Sequence, residues 1–121
     1  MSCTKDRFII NKGMTNEFII RIKQNNSTLA MKIEPTDTFT YHLFHLETEV
    51  EVLSDVATIH DAPNGQIKIE FTDTFVDTLD SEIGPKEDRY YLKPVYRLAI
   101  ECHTVNNGIF IAKIPFVYVR R

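Results

Sequence analysis

The sequence has no tryptophan and few glycines or cysteines, and the last two scarcities each exclude a class of site. The four glycines stand alone, so the chain lacks a glycine-rich loop that could cradle a phosphate. Cys3 and Cys102 lie too far apart for the close ligand spacing of a zinc site. We expect two reduced thiols rather than a disulfide, and we predict no cofactor and no metal.

A run of basic residues is also missing. The 14 basic and 17 acidic residues are dispersed to a net charge of -3, and the densest basic cluster is Arg120-Arg121. Nucleic-acid-binding proteins usually show a basic patch or motif, so we predict no nucleic-acid partner. No apolar run approaches the roughly 20 residues of a membrane helix or the roughly 7–15 residues of a signal-peptide core. We therefore predict neither membrane insertion nor export by that route.

The sequence does contain apolar and polar residues that alternate with a period of two. With 121 residues, of which 43% are hydrophobic, the chain can build the core of one domain. The alternation is clearest over residues 96–103 and again from Phe110 onward, which is typical of half-buried strands. A three-residue hairpin loop, Asn106-Asn107-Gly108, then pairs Cys102 with Ala112, and Pro115 indicates an edge position or a bulge. In this register Tyr96, Leu98 and Ile100 lie opposite Tyr118, Phe116 and Ile114.

Other stretches show the same pattern at intervals typical of a β-sandwich. Strands are predicted over residues 18–23, 29–33, 39–46 and 66–72, and Val50 and Val52 are expected to extend the strand that leads to Ile59. A bulge near residues 53–55 would explain a break in that last pattern. Asp73 is a plausible N-cap for a short helix over residues 74–81. The predicted fold is all-β, an Ig-like antiparallel β-sandwich of about seven strands with one short helix or helical turn. Residues 1–15 are expected to be an N-terminal arm or edge strand, and residues 16–121 the sandwich domain.

Candidate ligands and catalytic residues are sparse. His42 and His45 are three residues apart on a predicted strand, so they face opposite sides and do not share a metal ion. The aspartates at positions 73, 77 and 80 are better explained by helix capping and solvation than by acid–base chemistry. Tyr90, Tyr91 and Tyr96 could stack on a sugar, although packing is the more ordinary role of such tyrosines.

A resemblance to a known family begins at residues 57–72, where a strand ending in Ile59 leads through His60-Asp61-Ala62-Pro63-Asn64-Gly65 into an alternating strand. Thr72-Asp73-Thr74, Leu79, Tyr96 and the Asn107-Gly108 hairpin follow in order. This arrangement resembles the Ig-like β-sandwich domains of tailed-phage structural proteins, notably the N-terminal domain of upper baseplate proteins. The similarity covers roughly residues 16–119. One departure is Pro94-Val95, which stands where the family usually has a glycine.

The resemblance implies a non-enzymatic bacteriophage virion structural protein of the tail, baseplate, neck or capsid surface. Such an oligomeric viral protein would be made in the host cytoplasm and would dock to other virion proteins and to copies of itself. The residues that we predict at the interface are Phe8, Ile9, Ile10, Glu82, Lys86, Glu87, Arg120 and Arg121. The alternative function is a carbohydrate- or small-ligand-binding module that uses Tyr90, Tyr91 and Tyr96.

Overall fold

Two β-sheets contain most of the regular structure in the computed structural model of the chain, which describes residues 2–3, 7–23, 29–80, 82–83 and 92–120. The small sheet consists, in spatial order, of β1 (Ser2–Cys3), β3 (Asn16–Lys23), β7 (Gln66–Phe71) and β6 (Thr58–Asp61). All neighbours in this sheet are antiparallel. The helix α1 (Asp73–Val76) directly follows β7.

The large sheet consists, in spatial order, of β2 (Arg7–Asn11), β10 (Gly108–Arg120), β9 (Leu92–Thr104), β4 (Thr38–His45) and β5 (Glu51–Val56). A two-residue strand, β8 (Glu82–Ile83), also pairs with β9. The pairing of β2 with β10 is parallel, whereas the other pairs are antiparallel. The predicted all-β sandwich is confirmed. The described residues form ten strands, two of them only two residues long, rather than about seven.

The core lies between the two sheets, because every second residue of the long strands points inward. Ile67, Ile69 and Phe71 of β7 are fully buried, and Leu98 and Ile100 of β9 face them from the large sheet's side of the core. Burying each such side chain stabilises the fold by roughly 1.5–3 kcal/mol before the entropy of ordering is subtracted. The alternation predicted for β7 and β9 is thus confirmed.

Strand β2 is an edge strand of the large sheet, which is one of the two alternatives, arm or edge strand, predicted for residues 1–15. Phe8 and Ile10 are buried in the core of the same chain, and the Phe8 ring stacks on Phe18 with centroids 4.3 Å apart. Of the three apolar residues predicted as an interface, only Ile9 is exposed. The prediction that Phe8 and Ile10 contact a partner is therefore wrong, because both are already packed on β10 and β3.

The β9–β10 hairpin keeps the predicted face but not the predicted register. The turn occupies residues 105–107, so Cys102 pairs with Phe110 and Ile100 with Ala112. Thr104 explains the shift, since its Oγ1 accepts the Asn107 N–H at 3.1 Å and donates to the Gly108 carbonyl at 2.8 Å. Gly108 has the expected left-handed conformation, with a φ of 71°.

The bulge at Pro115 is confirmed, and it changes which residues of β10 face the core. The register slips between Ile114 and Val117, so Val117 and Val119 are buried and Phe116 is exposed. The predicted apolar row with Phe116 and Tyr118 inward is wrong, because the extra residue reverses the alternation beyond Pro115.

The chain changes sheets at Ala57, which the sequence pattern did not reveal. Val52 belongs to β5 of the large sheet, whereas Ile59 belongs to β6 of the small sheet. The predicted continuous strand is therefore wrong. The expected bulge is present but lies closer to Val52: Leu43 pairs with Leu53, whereas the next residue, Phe44, pairs with Glu51, so Val52 is the extra residue. As a result the edge strands β5 and β6 are consecutive in the chain.

Two smaller expectations also change. The N-cap of α1 is Thr72, whose side chain accepts the Phe75 N–H, and Asp73 is the first helical residue, so the helix is one turn. Met31 and Ile33 are buried as predicted, but Leu29 is exposed and residues 31–34 form no strand. Residues 24–28, which connect the predicted strands over 18–23 and 29–33, lie outside the described residues.

Tyr41 joins the two sheets through its hydroxyl group, which donates to the Glu70 carbonyl oxygen at 2.9 Å. The ring packs edge-on against Phe71 with centroids 5.8 Å apart. Burial raises the pKa of Tyr41 from 10.0 to about 12, and the negative charge of Asp55 acts in the same direction. The neutral phenol is therefore part of the folded structure.

We predict a loss of stability at alkaline pH that Tyr41→Phe reduces. The unfolded chain releases the phenolic proton near pH 10 and the folded chain only near pH 12, so this contribution is complete below pH 10 and lost as the pH rises toward 12. Urea unfolding of both proteins between about pH 8 and pH 11 should show a shallower decline of the free energy of unfolding for the variant. Parallel declines would contradict the assignment.

Candidate functional site

The outer face of the large sheet differs from the outer face of the small sheet in its apolar content. On β10, Ile109 and Ile111 are 70% and 54% exposed, and Phe116 and the neighbouring Ile9 of β2 are also exposed. We call these four residues the apolar stripe. On the small sheet, the outward row of β3 and β7 is mainly charged, and Ile19 is the one exposed large hydrophobic residue that β3 presents.

The apolar stripe follows from the register of β10. Ile109 pairs with His103 and Ile111 with Glu101, two residues that point away from the core, so both isoleucines point outward. Phe116 joins the same face because of the bulge at Pro115. A sheet face that only met water would be expected to carry polar residues at these positions.

Next to the apolar stripe is a group of two histidines and two carboxylates that we call the His–Glu cluster. His42 of β4 contacts Glu51 of β5 through Nδ1, and its Nε2 lies 3.7 Å from Glu101 Oε2. His103 Nε2 lies 2.9 Å from Glu101 Oε1. The hydrogen bond with His103 lowers the pKa of Glu101 below its usual 4.5, and the nearby His42 adds to this effect.

The His–Glu cluster is open to solvent. Its members lie on an open sheet face, with Glu51 and Glu101 well exposed. Within the part of the chain that the structure describes, no three His, Cys, Asp or Glu residues are arranged to hold a metal ion. The cluster links side chains of three neighbouring strands, β4, β5 and β9, on the outer face.

Arg97 and Phe44 complete the outer face. The guanidinium carbon of Arg97 lies 4.2 Å from the centroid of the Phe44 ring, which is within cation–π range. Arginine and aromatic residues are both enriched in protein–protein interfaces. This pair therefore has the composition of a contact surface, and it lies between the His–Glu cluster and β10's Pro115 bulge.

The strand β5 presents a second unusual surface, which we call the β5 edge (Glu51–Val56). Five of its six residues are exposed, and Val56 is 60% exposed. It ends the large sheet on one side, as β2 does on the other. The Val56 N–H is capped by Asp55 Oδ1 at 2.8 Å.

The structure does not gather the residues predicted as sites into one place. Arg120 is exposed at the end of β10, beside Asn11 of β2. Glu82 is in β8, and Lys86, Glu87 and Arg121 lie outside the described residues, as do Tyr90 and Tyr91. Tyr96 is buried, and its hydroxyl accepts the Asp80 N–H at 2.9 Å. It is therefore a core residue and not a ligand contact.

The predicted separation of the histidines is confirmed. His42 contacts Glu51 and Glu101 on the outer face, whereas His45 lies on the other side of β4, against Tyr96 and 3.8 Å from Asp80 Oδ2. The His–Glu cluster was not predictable from the sequence, because its members come from three strands whose pairing the alternation alone does not give.

Comparisons with known proteins add no family to this description. A scan against protein-family models and a search of curated proteins both found no match. No helix in the described ranges has the length and hydropathy to span a membrane.

Proposed function

We propose that this chain is a non-enzymatic structural protein that docks onto other proteins of an assembled particle through the outer face of its large sheet. The observation that supports the proposal is the apolar stripe: four large hydrophobic side chains are exposed on one face of a small domain. Apolar side chains grouped on one exposed face mark interaction sites more often than singly scattered ones do. Here the exposed Lys113 of β10 lies between Ile111 and Phe116, so the stripe consists of two apolar pairs on one face. The neighbouring Arg97–Phe44 pair and His–Glu cluster would form the polar part of the same interface.

The resemblance at residues 57–72 and 106–108 extends this proposal to a bacteriophage virion. A tail, baseplate, neck or capsid-surface component works by binding its neighbours, which agrees with a molecule whose most distinctive surface is apolar and open. The partners would be other virion proteins, and the chain would be made in the host cytoplasm before assembly. The carbohydrate-binding alternative has lost Tyr96, and no described contact favours it.

We expect Ile111→Lys to reduce incorporation of the chain into particles by about tenfold or more, since burying one isoleucine is worth roughly 1.5–3 kcal/mol. The new lysine would lie opposite Glu101 on β9, so the fold itself should be unharmed. Each tagged variant is expressed in cells in which the particles are being assembled. The measurement is the amount of tagged chain in the purified particles, determined by quantitative mass spectrometry.

The matched control is Ile19→Glu on the outer face of the small sheet. Ile19 pairs with Lys68, so this variant also places an opposite charge across the ladder, but outside the proposed interface. It should incorporate as the wild type does. Equal incorporation of both variants, or wild-type chain absent from particles, would show that the proposed docking is wrong.

A further inference from the structure

The two edges of the large sheet carry opposite charge. The segment from Glu47 to Asp61, which contains the β5 edge, holds five carboxylates and no lysine or arginine. At the opposite edge, strand β2 begins with Arg7, and Lys12 is the first residue after the strand. Arg120 of the neighbouring strand β10 pairs with Asn11 of β2. The acidic segment Glu47 to Asp61 and the basic residues around β2 thus have complementary charges on the same molecule.

The backbone of the β5 edge is oriented to receive another strand. The Ala57 N–H donates to the Phe39 carbonyl at 2.8 Å, which continues the register in which Val56 pairs with Thr40. Since alternate residues of an antiparallel pair exchange hydrogen bonds, Asp55 and Leu53 bond to β4. The N–H and C=O groups of Ser54 and Val56 therefore point away from β4, toward the open side of the sheet.

Natural proteins usually protect such an edge with lysine, proline or a covering loop. The β5 edge contains no lysine or proline, and its valines at 52 and 56 are exposed. The Asp55 carboxylate occupies one outward amide, that of Val56, and Ser54 lies two residues before it. Of the outward amides of Ser54 and Val56, Asp55 leaves that of Ser54 open, and the acidic residues of this segment favour a basic strand beside it.

We propose that the β5 edge receives strand β2 of a second copy of this chain, so that large sheets join edge to edge. The pairing would use the outward backbone groups of Arg7 and Ile9, because those of Asn11 are bonded to the Asn16 side chain at 2.9 and 2.8 Å. Pairing of β5 with β5 would place the carboxylates of both segments against each other, whereas β2 and the residue that follows it contribute the basic residues Arg7 and Lys12. Because the two edges lie at opposite ends of one sheet, the contact is head-to-tail and repeats into a ring or a filament. The apolar stripe lies on the face of the sheet and stays open for the docking proposed above.

The test is the mass of the purified full chain by analytical ultracentrifugation, from roughly 1 to 200 µM. At about 50 mM salt we expect a mass above that of the monomer which rises with concentration, and at about 500 mM salt a weaker association. Ser54→Pro should weaken association by about tenfold or more, because it removes an outward N–H without touching the β4 ladder. Ser54→Ala keeps that N–H and should associate as the wild type does.

A second variant keeps the proposal testable if Ser54→Pro fails to fold. Lys12→Glu reverses one charge at the β2 edge, and we expect it to weaken association at low salt while thermal unfolding stays near that of the wild type. The proposal is overturned by a wild-type chain that stays monomeric at about 200 µM, by association that strengthens with salt, or by unchanged association in a folded Ser54→Pro variant. Ile111→Lys should associate as the wild type does, so failure of the particle test and failure of this one are distinguishable.

Discussion

Gly65→Ala should destabilise the protein by roughly 2–4 kcal/mol, which corresponds to a fall in the melting temperature on the order of 10 °C. Gly65 has a φ of 68°, a region that L-residues with a side chain adopt at a cost. A Cβ atom there would also lie 2.5 Å from the Met31 carbonyl oxygen and 2.8 Å from that of Ile22. Both distances are shorter than any van der Waals contact allows.

These carbonyl groups cannot move aside at low cost. The Ile22 carbonyl accepts the Met31 N–H at 2.9 Å, and the Gly65 carbonyl accepts the Ile22 N–H at 2.8 Å. Gly65 is therefore the point at which three segments meet: the turn before β7, the strand β3 and the segment that contains Met31. Relief of the overlap would break hydrogen bonds among buried groups, at about 1–3 kcal/mol each.

Gly108→Ala is the matched control for this prediction. Gly108 has a similar φ of 71°, but a Cβ atom there would have no neighbour within 4 Å. Its cost should be only that of the left-handed backbone, about 1–2 kcal/mol. Thermal unfolding of both variants gives the comparison. Equal losses of stability would mean that the close approach at Gly65 contributes nothing.

The sequence predicts burial better than it predicts pairing. Alternation identified Ile67, Ile69 and Phe71 as core residues because one face of a strand either meets the core or does not. It could not show that the chain leaves the large sheet at Ala57, since an alternating pattern continues unchanged when the next residues join a different sheet. Sheet membership depends on contacts between residues distant in sequence, which no local pattern encodes.

The β9–β10 hairpin shows a similar limit at finer scale. The alternation correctly placed Cys102 and Ala112 on one face of the hairpin. Shifting the pairing by two residues leaves every side chain on the same face, so the faces alone could not determine which residues pair. The choice depends on Thr104, which bonds across the turn, and on Asp37 Oδ1, which accepts the Val105 N–H at 2.9 Å. Asp37 lies 68 positions earlier in the sequence and is not foreseeable from the turn itself.

The candidate surfaces were predictable only in part. The acidic character of residues 47–61 is visible in a simple charge count, and it would have directed attention to β5. The apolar stripe was not visible, because Phe116 points outward only after the bulge at Pro115. Ile109 and Ile111 lie in a strand whose other face has a fuller set of apolar residues, which dominates the pattern.

Phe71→Ala should cost roughly 3–5 kcal/mol, the range for the loss of a fully buried phenylalanine. Phe71 ends β7 at the point where both sheets and α1 meet. Its ring lies 5.8 Å from Tyr41, 6.0 Å from Phe18 and 6.1 Å from Phe75, measured between centroids. These neighbours belong to β4, β3 and α1, so the surrounding groups cannot collapse together into the space that a truncated side chain leaves.

Phe75→Ala tests whether position or aromatic contact decides this cost. Phe75 contacts the same ring but is only partly buried on the one-turn helix, so its loss exposes little new surface. We expect roughly 1–2 kcal/mol for Phe75→Ala from the area that it buries. Urea unfolding followed by circular dichroism measures both values. A cost for Phe71→Ala no larger than that for Phe75→Ala would contradict a core centred on Phe71, and α1 rather than the two sheets would then hold that end of the sandwich closed.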